Sequence, residues 1–332
     1  MKIGISICVV LSLLIVLNSC QKEDEFELFT PNLVVNVLLP SEGLGDRSFI
    51  DVVYKGVEEA TKDFNFSVNY IIPESLEKGE EWIKNIPRLP GNAESASMII
   101  IAGSQFVKAV NTLNGNYGGH KVLLLAGTTE QYAGMASIVY RSYAPSYIGG
   151  YLSAKLVPGC RATVIAAFDA SFLTEYQSGF KQGVIDAGGT VSPTQFLSSG
   201  FEGFDMSDSA YSLTESLLPS HDLIFALATG SNLGIINAAR NYKQKRYVIG
   251  VDADQSWMGL TVVTGSVVAL FEIDIYEYIS RYSEGMFKSG SFTMSMEDRK
   301  NEFLINKIVL GSAAIPQSLI DTAVKKEKEY SK

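Results

Sequence analysis

Short, nearly continuous apolar runs alternate along this chain with longer segments whose apolar residues recur every three or four positions. The runs cover 34–40, 68–73, 98–103, 122–127, 138–140, 163–167, 194–197, 223–228, 247–251, 267–271 and 303–310. They are rich in Val, Ile and Leu and often end at Gly or Pro, as strands do. Continuous apolar character, rather than alternation, predicts strands covered on both faces. The segments 49–64, 146–156, 173–187, 208–218, 232–242 and 273–287 carry helical spacing; in the first, Phe49, Ile50, Val53, Val57 and Ala60 share a face. This βαβα rhythm predicts an α/β fold with doubly wound parallel sheets and right-handed crossovers. Two sheets fit the count better than one, the first running to about Tyr140 and the second beginning near Ala162. Ligands of such sheets sit beyond the carboxyl ends of the strands, so two facing lobes place the pocket between them.

Residues 1–20 break the rhythm. Lys2 precedes an apolar run over 3–17, and Leu17-Asn18-Ser19-Cys20 closes it. The run is shorter than the ~20 residues of a comfortable membrane span, and its charge and length fit a secretory signal. The terminal Cys makes it resemble a bacterial lipoprotein signal, in which Cys20 is acylated and becomes the first mature residue. An uncleaved anchor helix is the alternative. Each buried CH₂ contributes ~0.8 kcal/mol, so two or three acyl chains hold a protein at a membrane. Residues 21–32 read as a spacer. Within it, Gln21-Lys22-Glu23-Asp24-Glu25 resembles the acidic surface-export signal of Bacteroidetes lipoproteins.

A chain of 332 residues is long for one core, which again favours two lobes. Its 46% apolar and 19% charged residues are ordinary globular composition. A net charge of −9, with no basic cluster except at 325–328, argues against a nucleic-acid partner. With Cys8 in the leader and Cys20 lipidated, Cys160 stands alone, so the mature chain has no intramolecular disulfide. Cys160 reads as a small buried hydrophobe, with a reactive thiol as the alternative. His120 and His221 have no metal-ligand spacing, and the common catalytic signatures are missing. No cofactor or metal is expected, and the chain does not read as an enzyme.

Four segments carry a family likeness: LPSEGLGDRSFIDVVYKG at 39–56, FKQG at 180–183, ATGSNLGIINAAR at 228–240 and GVDADQ at 250–255. In this order they resemble the basic membrane protein family of ABC-transporter substrate-binding lipoproteins, whose best-understood members are purine nucleoside receptors. The resemblance covers essentially the whole mature chain. It implies a type I periplasmic-binding-protein fold, two doubly wound parallel-sheet lobes joined by three crossovers near 140–144, 251–254 and 288–301. The N-terminal lobe would then comprise 33–142 and 252–290, and the C-terminal lobe 143–251 and 291–332.

The same resemblance implies ligand contacts at Ser48, Phe49, Phe204, Gly230 and Asp252. Ser48 also reads as a helix N-cap, and Phe49 as a core residue of its helix. A stacked base on Phe49 would be worth ~1–3 kcal/mol. Gly230 permits close backbone approach but equally makes a strand-to-helix turn. Asp252 can accept ribose hydroxyls or close an Asx-turn; Asp254 is assigned to hinge structure. Phe201 and Phe204 are candidates for an opposite aromatic wall. The chain departs from nucleoside-binding members at three places: Ile50 replaces Asn, Leu125-Ala126-Gly127 lacks an Asp, and Phe271-Glu272 lacks a Lys. A ligand needing all three contacts would bind ~10²–10⁴-fold more weakly here, so the pocket is rewired or the ligand differs.

The expected function is therefore a lipid-anchored protein that captures a small, nucleoside-like solute for an ABC permease, at the cell or outer membrane and facing the periplasm or the surface. A surface capture or sensory lipoprotein without a transporter is the alternative. An exported enzyme using Asp169, Glu175 or Asp252 has no supporting carboxylate spacing.

Overall fold

The computed structural model describes residues 33–90, 97–311 and 314–331. The leader at 1–20, Cys20 and the spacer at 21–32 lie outside the described residues. Two sheets organise the rest. The first joins β1 (Leu33–Leu38), β2 (Phe66–Ile71), β3 (Met98–Ala102), β4 (Lys121–Leu125), β5 (Met135–Tyr140) and β12 (Gly290–Met294), in the order β12-β5-β4-β3-β1-β2, all parallel. The second joins β6 (Arg161–Ala166), β7 (Thr190–Val191), β8 (Gln195–Phe196), β9 (Leu223–Leu227), β10 (Tyr247–Asp252), β11 (Val263–Ala269) and β13 (Asn301–Ile305), in the order β13-β11-β10-β9-β6-β7, with β8 also on β6. Within each sheet the first five major strands follow the same 2-1-3-4-5 winding. Among the described residues only β13 runs antiparallel, against β11.

The helices are α1 (Phe49–Thr61), α2 (Leu76–Lys84), α3 (Val107–Asn111), α4 (Tyr143–Ala154), α5 (Thr174–Asp186), α6 (Ser207–Leu217), α7 (Asn232–Asn241), α8 (Phe271–Ser283), α9 (Lys307–Leu310) and α10 (Gln317–Tyr330). The strand cores follow the apolar runs: all of β3 and β9 is buried. In α1 the buried residues Ile50, Val52, Val53, Gly56, Val57 and Ala60 form one stripe. The run at 303–310 is not one strand. It splits because the Asn306 side chain accepts from the Ile308 amide at 2.9 Å and starts α9. Cys160 is buried, and that burial, with Asp222 nearby, pushes its thiol up to about 12.

The chain passes between the sheets three times: at 141–142 between β5 and α4, at 270 between β11 and α8, and at 295–300 between β12 and β13. The second passage corrects the expectation of a crossover at 251–254. There β10 pairs with β11 up to Asp252 opposite Val268, so residues 252–269 stay with the second sheet instead of opening the return to the first. Asp254 is accordingly no hinge. Its Oδ1 accepts from the Ser256 amide at 3.0 Å and from Ser256 Oγ at 2.5 Å, an exposed turn. The crossovers are tied to one another. Arg141 N donates to Met294 O at 2.8 Å, Leu270 N to Lys300 O at 2.8 Å, and Asn301 Nδ2 to Arg141 O.

Glycines let α4 and α5 approach backbone to backbone. A Cβ on Gly183 would lie 2.1 Å from Tyr147 O, and one on Gly179 2.2 Å from Tyr143 O. This is the packing reason for FKQG. In an open helix Gly→Ala is worth about +1 kcal/mol of stability. Here the clash is with backbone, and Gly183→Ala is expected to destabilise by about 1–3 kcal/mol in denaturant unfolding. A stabilised variant would contradict this packing.

Candidate functional site

In a 2-1-3-4-5 sheet the connections after strands 1 and 3 leave toward opposite faces, opening a crevice at their carboxyl ends. Both sheets use this switch point. The loops after β1 (Pro40, Glu42, Asp46) and β3 (Gly103, Ser104, Gln105) meet those after β6 (Phe172, Leu173) and β9 (Leu227, Thr229, Gly230) around a cavity of about 490 Å³. Tyr140, Arg141 and Phe271, beside the first two crossovers, line it too.

The walls are aromatic and acidic. Phe49 packs edge-on to Phe271 at 5.0 Å between centroids, and Phe271 edge-on to Tyr140 at 4.4 Å. On the second lobe Phe168 supports Phe201 at 4.8 Å and Phe204 at 5.7 Å, and Phe172 stacks on Phe201 at 6.3 Å. Phe49, Phe204, Gly230 and Asp252 all line the cavity. Gly230 does so beside the first lobe: a Cβ there would lie 2.9 Å from Phe204 O and 3.6 Å from Asp46 Cβ.

Ser48 does not line the cavity. It is fully buried behind it, and its Oγ donates to Asp252 Oδ2 at 2.8 Å, with Val251 O at 3.2 Å. Nor does its side chain cap α1. Asp46 takes that role: Oδ1 accepts from the Ser48 and Asp51 amides at 2.9 and 3.1 Å, and Oδ2 from Ile50 at 2.9 Å. Asp precedes the helix at a spacing that reaches three amides, whereas the Ser48 hydroxyl is drawn to the stronger charged acceptor on the other lobe. Burial raises Asp46 above the ordinary carboxylate range, against those three amides.

Asp252 ends β10 in the left-handed region, φ 65°, which Asp tolerates better than most residues. Burial lifts its carboxyl to about 7; the Ser48 hydrogen bond opposes this and the Asp46 charge adds to it. Gln255 fixes the turn. Its Oε1 accepts from Asn232 Nδ2 at 3.0 Å and Val251 N at 3.2 Å, while Nε2 donates to Arg47 O on the first lobe at 3.3 Å. GVDADQ is thus a structural staple whose Gln255 the sequence pattern left without a role. Burial, with Asp252 and Glu175 nearby, also raises the Tyr176 phenol.

Glu42, Tyr140, Arg141, Phe172, Tyr176 and Asp205 also line the cavity, and sequence spacing did not single them out. Arg141 Nε is spent on Glu175 Oε1 at 2.7 Å. The departures from the nucleoside-receptor pattern fall in the wall itself: Ile50, Ala126 and Phe271 all face the cavity. Among the described residues no group of His, Cys, Asp and Glu is arranged to hold a metal, and no helix is long and apolar enough to cross a membrane.

Comparison with known proteins agrees with this fold. The sequence profile of the family described as ABC transporter substrate-binding protein PnrA-like matches residues 33–321. Basic membrane protein D of Borreliella burgdorferi is 24% identical over 288 residues, covering 85% of this chain and 80% of that protein. An uncharacterized lipoprotein of Pyrococcus abyssi is 21% identical over 274 residues, covering 80% of this chain and 67% of that one. Among solved structures, an ABC transporter system solute-binding protein from Aeropyrum pernix K1 superposes with a TM-score of 0.74 at 20% identity, over 90% of this chain and 86% of that one. A solute-binding protein from Burkholderia graminis in complex with D-arabinose gives 0.62 at 16% identity, over 82% and 95%. These structures share the fold, two α/β lobes around a cleft. The chain belongs to the PnrA-like family of ABC transporter substrate-binding proteins.

Proposed function

We propose that this protein is a lipid-anchored receptor that captures a nucleoside between its lobes and presents it to an ABC importer. The observation that carries this reading is one convergence. Phe49 and Phe204 enter a single cavity from opposite lobes, and Asp252 enters beside them at the end of β10. The aromatic faces suit a planar base, and the carboxylate suits a diol that donates two hydrogen bonds. The Ser48–Asp252 and Gln255–Arg47 bonds join the lobes across the cleft, so closure and ligand capture use the same groups. The crossovers at 141–142, 270 and 295–300 are the hinges for rigid-body closing. The lipid on Cys20 would keep the receptor at the membrane.

Calorimetry on protein lacking residues 1–20 tests the ligand. At least one of guanosine, inosine and adenosine is expected to bind; no binding below ~1 mM for all three rejects the nucleoside reading. Asp252→Ala is expected to weaken that binding by about 10–100-fold, since a charged hydrogen-bond acceptor is lost. Full affinity in the variant would remove Asp252 from the site.

The pH dependence has a definite sign. Ligand hydroxyls donate to the ionised carboxylate, and Asp252 titrates near 7 while facing Ser48, Asp46 and Tyr176. Affinity is therefore expected to be highest above pH 7 and to fall on the order of tenfold per pH unit below it. The empty protein behaves oppositely. A carboxyl raised in the folded state adds stability at low pH that is lost as pH rises through about 7. Asp252→Asn, which keeps an acceptor for Ser48, is expected to raise the Tm of the empty protein at pH 8 more than at pH 5. A flat difference would place the titration elsewhere.

The anchor is checked by fractionation. Cys20→Ser is expected to move the protein from the membrane to the soluble fraction; unchanged membrane association would reject the lipid tether.

A further inference from the structure

The cleft's charged groups are mostly spoken for. Asp46 is occupied by the amides of Ser48, Ile50 and Asp51, Glu175 holds Arg141, and Asp252 takes the Ser48 hydroxyl. Glu42 differs. It lines the cavity from the loop after β1, a turn closed by Gly43 N donating to Pro40 O at 3.2 Å, and its Oε2 is buried with no hydrogen-bond partner. Buried carboxylate oxygens are very rarely left unpaired, and such an exception calls for a missing donor. Among the described residues the cations that line the cleft, Arg47 and Arg141, do not supply it. Arg141 is paired, and Arg47 Nη1 turns back to Gly45 O at 3.2 Å. Across the cavity stands Asp205, whose charge, after burial, disfavours ionised Glu42 further. The Glu42 backbone and the Ser41 side chain hydrogen-bond the carboxylate, which leaves Oε2 as the unpartnered oxygen; the neighbouring wall at Ile50 and Ala126 is apolar, so the first lobe offers a bound ring this one acceptor atom.

We propose that Glu42 is a specificity-determining residue, accepting hydrogen bonds from an N–H edge of the bound base, so that the cleft selects bases with ring N–H or amino donors. This rests on the nucleoside reading. A guanine ring presents a ring N–H and an exocyclic amino group side by side, the best match to a carboxylate. An unsubstituted purine ring presents no donor on that edge and leaves Glu42 orphaned. Nucleoside 5′-phosphates are disfavoured by the same surplus of carboxylates.

Calorimetric titration with guanosine, adenosine and unsubstituted purine riboside tests this, on wild type, Glu42→Gln and Glu42→Ala, each checked for an unchanged thermal transition. Wild type is expected to prefer guanosine to purine riboside by about 10–150-fold, the range of a hydrogen bond to a charged group. Glu42→Gln, which removes the charge but keeps an acceptor, is expected to reduce that ratio about tenfold; Glu42→Ala is expected to bring it close to one. A wild-type ratio under about threefold, or a ratio unchanged in both variants, overturns the role of Glu42 while leaving the nucleoside reading intact. Failure of wild type to bind any of the three overturns both.

Discussion

The site depends on one hydrogen bond between lobes, from Ser48 Oγ to Asp252 Oδ2 at 2.8 Å. A carboxylate at the end of a central strand, walled by aromatic rings, is costly to keep ionised. Ser48 offsets part of that cost from the opposite lobe. The bond therefore couples three things: the left-handed turn at Asp252, the approach of the lobes, and a cavity-lining carboxyl that burial lifts to about 7. Gln255 makes the coupling rigid, because it is fully buried and holds β10, α7 and the Arg47 carbonyl together.

The architecture explains why loops remote in sequence meet there. Each lobe winds its sheet in the same order, so each opens a crevice at one switch point, and the crossovers turn the crevices toward one another. The hinge end is closed by an ionic cluster around the buried Asp274. The Tyr140 hydroxyl donates to Asp274, and Lys300 bridges Asp274 at 2.9 Å and Glu277 at 3.1 Å. Lys300 comes from the third crossover and Asp274 from α8, directly after the second, so the strands of the hinge are locked to the floor of the cleft.

Much of this was legible in the chain. Continuous Val, Ile and Leu runs gave the parallel strands, and their alternation with amphipathic segments gave the double winding. Phe49 at a helix start, Gly230 and Asp252 after strands, and Phe204 as a candidate aromatic wall were all named from the sequence, and all four line one cavity. Other features were hidden for physical reasons. β12 is a half-exposed edge strand of sequence GSFTM, with too little apolar content to stand out. The crossover at 270 has no Gly or Pro to mark it, whereas GVDADQ looks like a hinge but is stapled by Gln255. Ser48 looked like a cap, but capping fell to Asp46 once the hydroxyl found Asp252. Glu42 could not be singled out at all, because its distinction is a missing partner, and partners are a property of three dimensions.

The most direct test of the account is a crystal structure of the protein purified from its native source with the ligand it carries. The account predicts density for a planar ring between Phe49 and Phe204, with hydroxyl oxygens within hydrogen-bond reach of the Asp252 carboxylate. Density elsewhere, or a ligand in the cleft that leaves Asp252 without a contact, would contradict it.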